Sequence, residues 1–138
     1  MKTMIFLCGL ALLAGCGGTT TLTTQEQQLA LARSSWKARG LRSYTFTVRK
    51  NCFCPPEYTK SVTITVQNGA ATNSPEHLKS YDTVEKLLDT IGTGLSSKAD
   101  QVDMDFASDG WPRSFYIDQS RMIADEEFGV TVSDLTPL

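Results

Sequence analysis

VTITVQNGA, residues 62–70, is the stretch on which the fold turns. Val62, Ile64 and Val66 alternate with Thr63 and Thr65, the two-residue period of a strand with one face buried and one in water. Asn68-Gly69 follows at once, and such a dipeptide tolerates the positive φ values of a tight hairpin. The chain therefore turns back into a short third strand over Ala70 to Asn73. A sheet that begins this way is antiparallel, with an apolar face to be covered.

Upstream, Tyr44, Phe46 and Val48 alternate with Thr45, Thr47 and Arg49, which makes an earlier strand of the same kind. Before it, residues 25–39 read as a helix. Thr24 and Gln27 have capping-box spacing, Leu29, Ala32 and Trp36 share one face, and Gly40 suits the position after the last turn. Downstream, Asp82 or Thr83 opens a second helix whose Val84, Leu87, Leu88, Ile91 and Leu95 form an apolar stripe. Gly92 and Gly94 weaken its last turn by about 1 kcal/mol each relative to Ala. Strands resume with Val102, Met104 and Phe106 facing inward, turn at Asp109-Gly110, and return through Phe115 and Ile117. A last strand carries Phe128, Val130 and Val132.

The expected fold is α+β, with two helices packed on one face of a mainly antiparallel sheet, in the order α-β-β-(β)-α-β-β-β. The pattern reads as two helix-plus-hairpin halves, without a residue-level repeat between them.

The beginning of the chain reads as an address rather than as structure. Lys2 precedes an apolar run of about nine residues, Met4 to Leu12, too short for a membrane span of about 20. Leu13-Ala14-Gly15-Cys16 then has the form of a lipobox, in which small residues admit a peptidase and the thiol takes a diacylglyceryl group. The simpler alternative is a secretory signal cut near Ala14 or Gly15, with Cys16 a spare thiol. The expected division is a lipoprotein signal peptide over 1–15, a lipidated flexible tether over 16–24 and one α+β domain over 25–138. Two or more acyl chains hold a protein stably on a bilayer, where one does not. Gly17, where an Asp would favour inner-membrane retention, points to the outer membrane facing the periplasm if the cell is Gram-negative.

A formal net charge of −2 with no basic stripe argues against nucleic acid as a partner. Of four cysteines, Cys8 leaves with the signal and Cys16 carries lipid. Cys52 and Cys54 remain, in a compartment where disulfides persist. Extended residues two apart have Cα atoms roughly 6.6 Å apart. A disulfide takes about 5.5–6 Å, so a bridge needs a bend that Pro55-Pro56 can provide. The pair reads as a static clip, with two rival readings. A redox pair would draw on Arg49 and Lys50, though the spacing is not C-x-x-C. A soft-metal site would need more ligands, and His77 is the one further soft donor.

His77 lies in a polar loop with no G-x-S-x-G nearby, which makes it a surface residue sooner than a hydrolase base. Asp103 and Asp105 alternate against Val102, Met104 and Phe106, so they point off the core face. With Asp109, Asp118 and Asp125-Glu126-Glu127 they lack EF-hand spacing and read as solvated. Trp111, at the tip of a hairpin, and Phe53, between the cysteines, are the candidate binding anchors.

Taken together, several features resemble a family of bacterial lipoproteins known as domain of unknown function 6174. They are Trp36, Tyr44 ahead of a strand, Cys52-x-Cys54-Pro55, Val62-x-Ile64-x-Val66 into Asn68-Gly69, and Thr83-Val84. Gly110-Trp111-Pro112, where the family often has Gly-Tyr-Pro, is followed by Asp118 and the Asp125-Glu126-Glu127 cluster. The similarity runs from about Leu29 to Leu135. It implies an envelope location and no particular activity.

The sequence thus leads to a membrane-anchored envelope lipoprotein of non-catalytic binding or accessory role, with no cofactor. Its membrane contact runs through the acyl chains on Cys16, and an envelope protein is its expected partner. The alternative is a thiol-redox or soft-metal-handling protein working through Cys52 and Cys54.

Overall fold

A computed structural model describes residues 22–138. The expected signal peptide and Cys16, the expected lipidation site, lie outside the described residues. α1 spans Thr24–Arg39, and its cap sits one residue earlier than the spacing suggests. Thr23, rather than Thr24, is the N-cap: its hydroxyl accepts from the Glu26 amide, and the Glu26 carboxylate accepts from the Thr23 amide at 2.7 Å. A carboxylate is the stronger acceptor, so Glu26 takes the role expected of Gln27. That bond holds the Glu26 carboxyl below its ordinary pKa. Gly40 closes the helix in the left-handed conformation, φ 64°.

Among the described residues, six strands follow around α2, Val84–Ser96. They are β1 Tyr44–Cys52, β2 Val62–Gln67, β3 Ala70–Ala71, β4 Gln101–Phe106, β5 Pro112–Asp118 and β6 Phe128–Pro137. Every pairing is antiparallel, in the order β3-β2-β1-β6-β5-β4. The α+β arrangement expected from the sequence is what forms. Each half is a helix followed by three strands laid in the same direction across the sheet. The halves join where β1 meets β6, from Tyr44 opposite Pro137 to Cys52 opposite Phe128.

β3 is two residues long, not four, because Asn73 substitutes side chain for backbone. Its Oδ1 accepts from the Thr65 amide at 2.7 Å, and its Nδ2 donates to the Thr63 carbonyl at 3.1 Å. The edge of β2 is thereby satisfied without further ladder.

The core lies between the helices and one sheet face. Tyr44, Phe46, Val48, Ile64, Val66, Phe115, Ile117 and Val130 are buried there against Leu29, Trp36, Leu87, Leu88 and Ile91. The β4–β5 hairpin is clamped to α1 at Gly110, φ 93°, where a Cβ would stand 2.1 Å from the Ala32 carbonyl oxygen. Arg39 and Asp109 form an ion pair beside it. These contacts explain Trp111: its ring is partly buried against the core rather than displayed at a tip.

The open sheet face and its groove

No helix covers the other side of the sheet among the described residues. Asp103, Tyr116, Gly129 and Asn51 lie side by side across β4, β5, β6 and β1. Gly129 is the gap in this row. A Cβ there would lie 3.8 Å from the Tyr116 ring and 3.9 Å from the Asn51 Cβ, so the missing side chain leaves a depression rather than relieving a clash. The resulting groove holds about 590 Å³ and includes Phe53, Asp105, Ser114 and Thr131 in its lining.

Around the groove the charge is mostly negative. A bulge puts both Arg113 and Ser114 on this face opposite Asp105. Arg113 grips the Asp105 carboxylate with two hydrogen bonds of 2.8 Å, which hold that carboxyl below its usual pKa. Tyr116 is pushed the other way. Loss of solvent raises its hydroxyl pKa, and the nearby carboxylates of Asp118, Glu127 and Asp103 raise it further.

Cys52 and Cys54 form the disulfide, with Cα atoms 5.3 Å apart. The chain turns at the end of β1 as the bridge requires, and the turn thrusts Phe53 outward, 81% exposed. Of the two expected anchors, Phe53 is therefore displayed at the groove and Trp111 is not. His77 stacks on Tyr58 with ring centroids 4.8 Å apart, and its Nε2 is buried without a partner among the described residues. Asp118 and Glu126 each keep one buried carboxylate oxygen in the same condition. Among the described residues, no group of three His, Cys, Asp or Glu side chains is placed to hold a metal ion. No helix among them is long and apolar enough to cross a membrane.

Gly129 and Tyr116 escaped the reading of the sequence. A glycine between Phe128 and Val130 inside a strand was the available sign, since such a glycine often marks a close approach or a ligand.

A second groove, about 420 Å³, runs between the helices beside Trp36, Lys37, Arg42 and Leu88. Its floor is structural. The Trp36 indole donates to Glu85 at 2.8 Å, and the Tyr44 hydroxyl donates to the same carboxylate at 3.4 Å.

No curated protein and no solved structure matches the chain. Residues 28–137 match the family of unknown function DUF6174, and with that span covering most of its length the chain belongs to this family.

Proposed function

We propose that the protein is an extracytoplasmic lipoprotein whose domain is a non-catalytic binding module, using the sheet face that no helix covers among the described residues to engage an envelope component. Gly129 carries the binding part of this reading. A missing side chain near the start of β6, with an aromatic ring on one flank and the displayed Phe53 nearby, leaves a recess that packing does not require. Of the groove's carboxylates, Asp105 is committed to Arg113, which favours recognition over proton transfer. The lipid part rests on Leu13-Ala14-Gly15-Cys16 following a charged and then an apolar segment. Gly17 after the cysteine supports an outer-membrane address facing the periplasm in a Gram-negative cell.

Two measurements test it. Radiolabelled palmitate should enter the wild-type chain and not Cys16→Ser, and globomycin should block processing. A photo-crosslinker at Tyr116 in living cells should capture an envelope component that one at Lys37 does not, and Gly129→Leu should abolish the capture. Unlabelled protein ends the lipid reading; equal capture from both faces ends the binding one.

A further inference from the structure

We propose that the sheet end bearing Phe53, Met122 and Ile123 rests in the surface of the lipid bilayer, so that the domain is held in a fixed orientation rather than swinging on its tether. This rests on the lipidation of Cys16 proposed above. Six residues, Gly17 to Leu22, separate that cysteine from the helix cap at Thr23. At no more than about 3.6 Å per residue they span on the order of 20 Å, so the start of α1 stays near the headgroups.

The structure shows what lies beside that start. Gln25 donates from its side chain to the Val102 carbonyl at 2.6 Å, which fixes the beginning of α1 next to the beginning of β4. From there the register crosses the sheet at one end: Val102 opposite Ile117, Ile117 opposite Phe128, Phe128 opposite Cys52. Beyond this line project the turn after β1 and the β5–β6 loop. The Arg121 amide donates to Asp100 at 2.8 Å and ties that loop to the approach to β4. Met122 is 91% exposed there, Ile123 56%, and Phe53 81% across the line. Leu22, also exposed, leads into α1 at the same end.

Large apolar side chains gathered in loops at the point of attachment, and left in water, are what an interfacial surface presents. Lys98 and Arg121 are offset by Asp125, Glu126 and Glu127 in the same region, so the attraction is apolar rather than electrostatic. Phosphatidylcholine is a sufficient surface.

The test uses the full lipidated chain in phosphatidylcholine vesicles carrying dibrominated acyl chains. Phe53→Trp and Met122→Trp should each lose roughly half or more of the added indole emission, because an interfacial side chain reaches about 5–10 Å into the acyl boundary. Ser108→Trp, in the hairpin at the opposite end, should lose little. Equal quenching at all three positions, or at none, overturns the orientation. Flotation with the vesicles reads the anchor separately. Protein that floats without position-dependent quenching overturns this inference alone, whereas protein that floats no better than Cys16→Ser overturns the lipid anchor and the orientation together.

Discussion

The hydroxyl of Tyr44, at the start of β1, accepts a hydrogen bond from the backbone amide of Val84, at the start of α2, at 3.0 Å. One phenol thus satisfies a buried helix-terminal donor that has no partner within its own helix. The two residues are forty apart in sequence, and the bond ties both halves of the chain to one point. Tyr44→Phe leaves the ring packing intact and orphans the amide, so unfolding in urea should show a loss of about 1–3 kcal/mol. Unchanged stability would mean that water replaces the phenol.

Burial raises the Tyr44 pKa above its ordinary 10.0, with the Glu85 and Asp82 carboxylates raising it further and the Val84 amide lowering it. The unfolded tyrosine ionises first. Its contribution to stability is therefore complete below about pH 10 and declines as pH rises from there through the folded value. Thermal melts between pH 9 and 11 should fall more steeply for wild type than for Tyr44→Phe. Parallel curves count against the assignment.

Two glycines should respond in opposite ways. Gly110→Ala drives a Cβ into the Ala32 carbonyl at a positive φ and should cost about 3 kcal/mol or more, or prevent folding. Gly129→Ala meets its nearest neighbour at 3.4 Å, ordinary contact, and should leave stability within about 1 kcal/mol or raise it. Chemical denaturation of the pair decides this, and similar losses from both would show that the groove is structurally required.

Removing the bridge with Cys52→Ser and Cys54→Ser together should lower stability by about 1–2 kcal/mol, since so short a loop restricts the unfolded chain little. The fold should persist by circular dichroism, with Phe53 becoming more accessible to proteolysis nearby. Collapse of the sheet would assign the bridge a larger role than shaping its turn.

Asp103→Asn removes one of the carboxylates that raise the Tyr116 pKa. Ultraviolet titration should show the hydroxyl ionising at lower pH in the variant than in wild type. An unmoved titration would leave the rise to loss of solvent and to the Asp118 and Glu127 carboxylates.

Elements governed by neighbours in sequence were legible. The alternation in Tyr44-Phe46-Val48, the turn at Asn68-Gly69, with φ of 52° and 84°, and the cap at Thr83 are all decided within a few residues. Features decided across the sheet were not. Nothing near Trp111 announces that Gly110 will press against the backbone of α1, and nothing near Ala71 announces that Asn73 will imitate a strand. Asp103 and Asp105 were rightly placed on the outer face, whereas Asp109 pairs with Arg39 beside α1 and Asp118 and Glu126 each bury one carboxylate oxygen. The groove beside Asp103 and Asp105 exists only where Gly129 and Tyr116, on consecutive strands, meet Asn51 from a strand far earlier in the chain.

The place of β6 between β1 and β5 has a consequence for how the molecule assembles. Before Phe128–Pro137 are in hand, the described strands can make only two ribbons, β3-β2-β1 and β5-β4, and each leaves a bare hydrogen-bonding margin that could accept a stranger's strand. The segment that joins them follows all the others along the polypeptide, so its partner β1 must wait through nearly the whole chain to be matched. A nascent copy is for that interval the form most in need of a chaperone's cover.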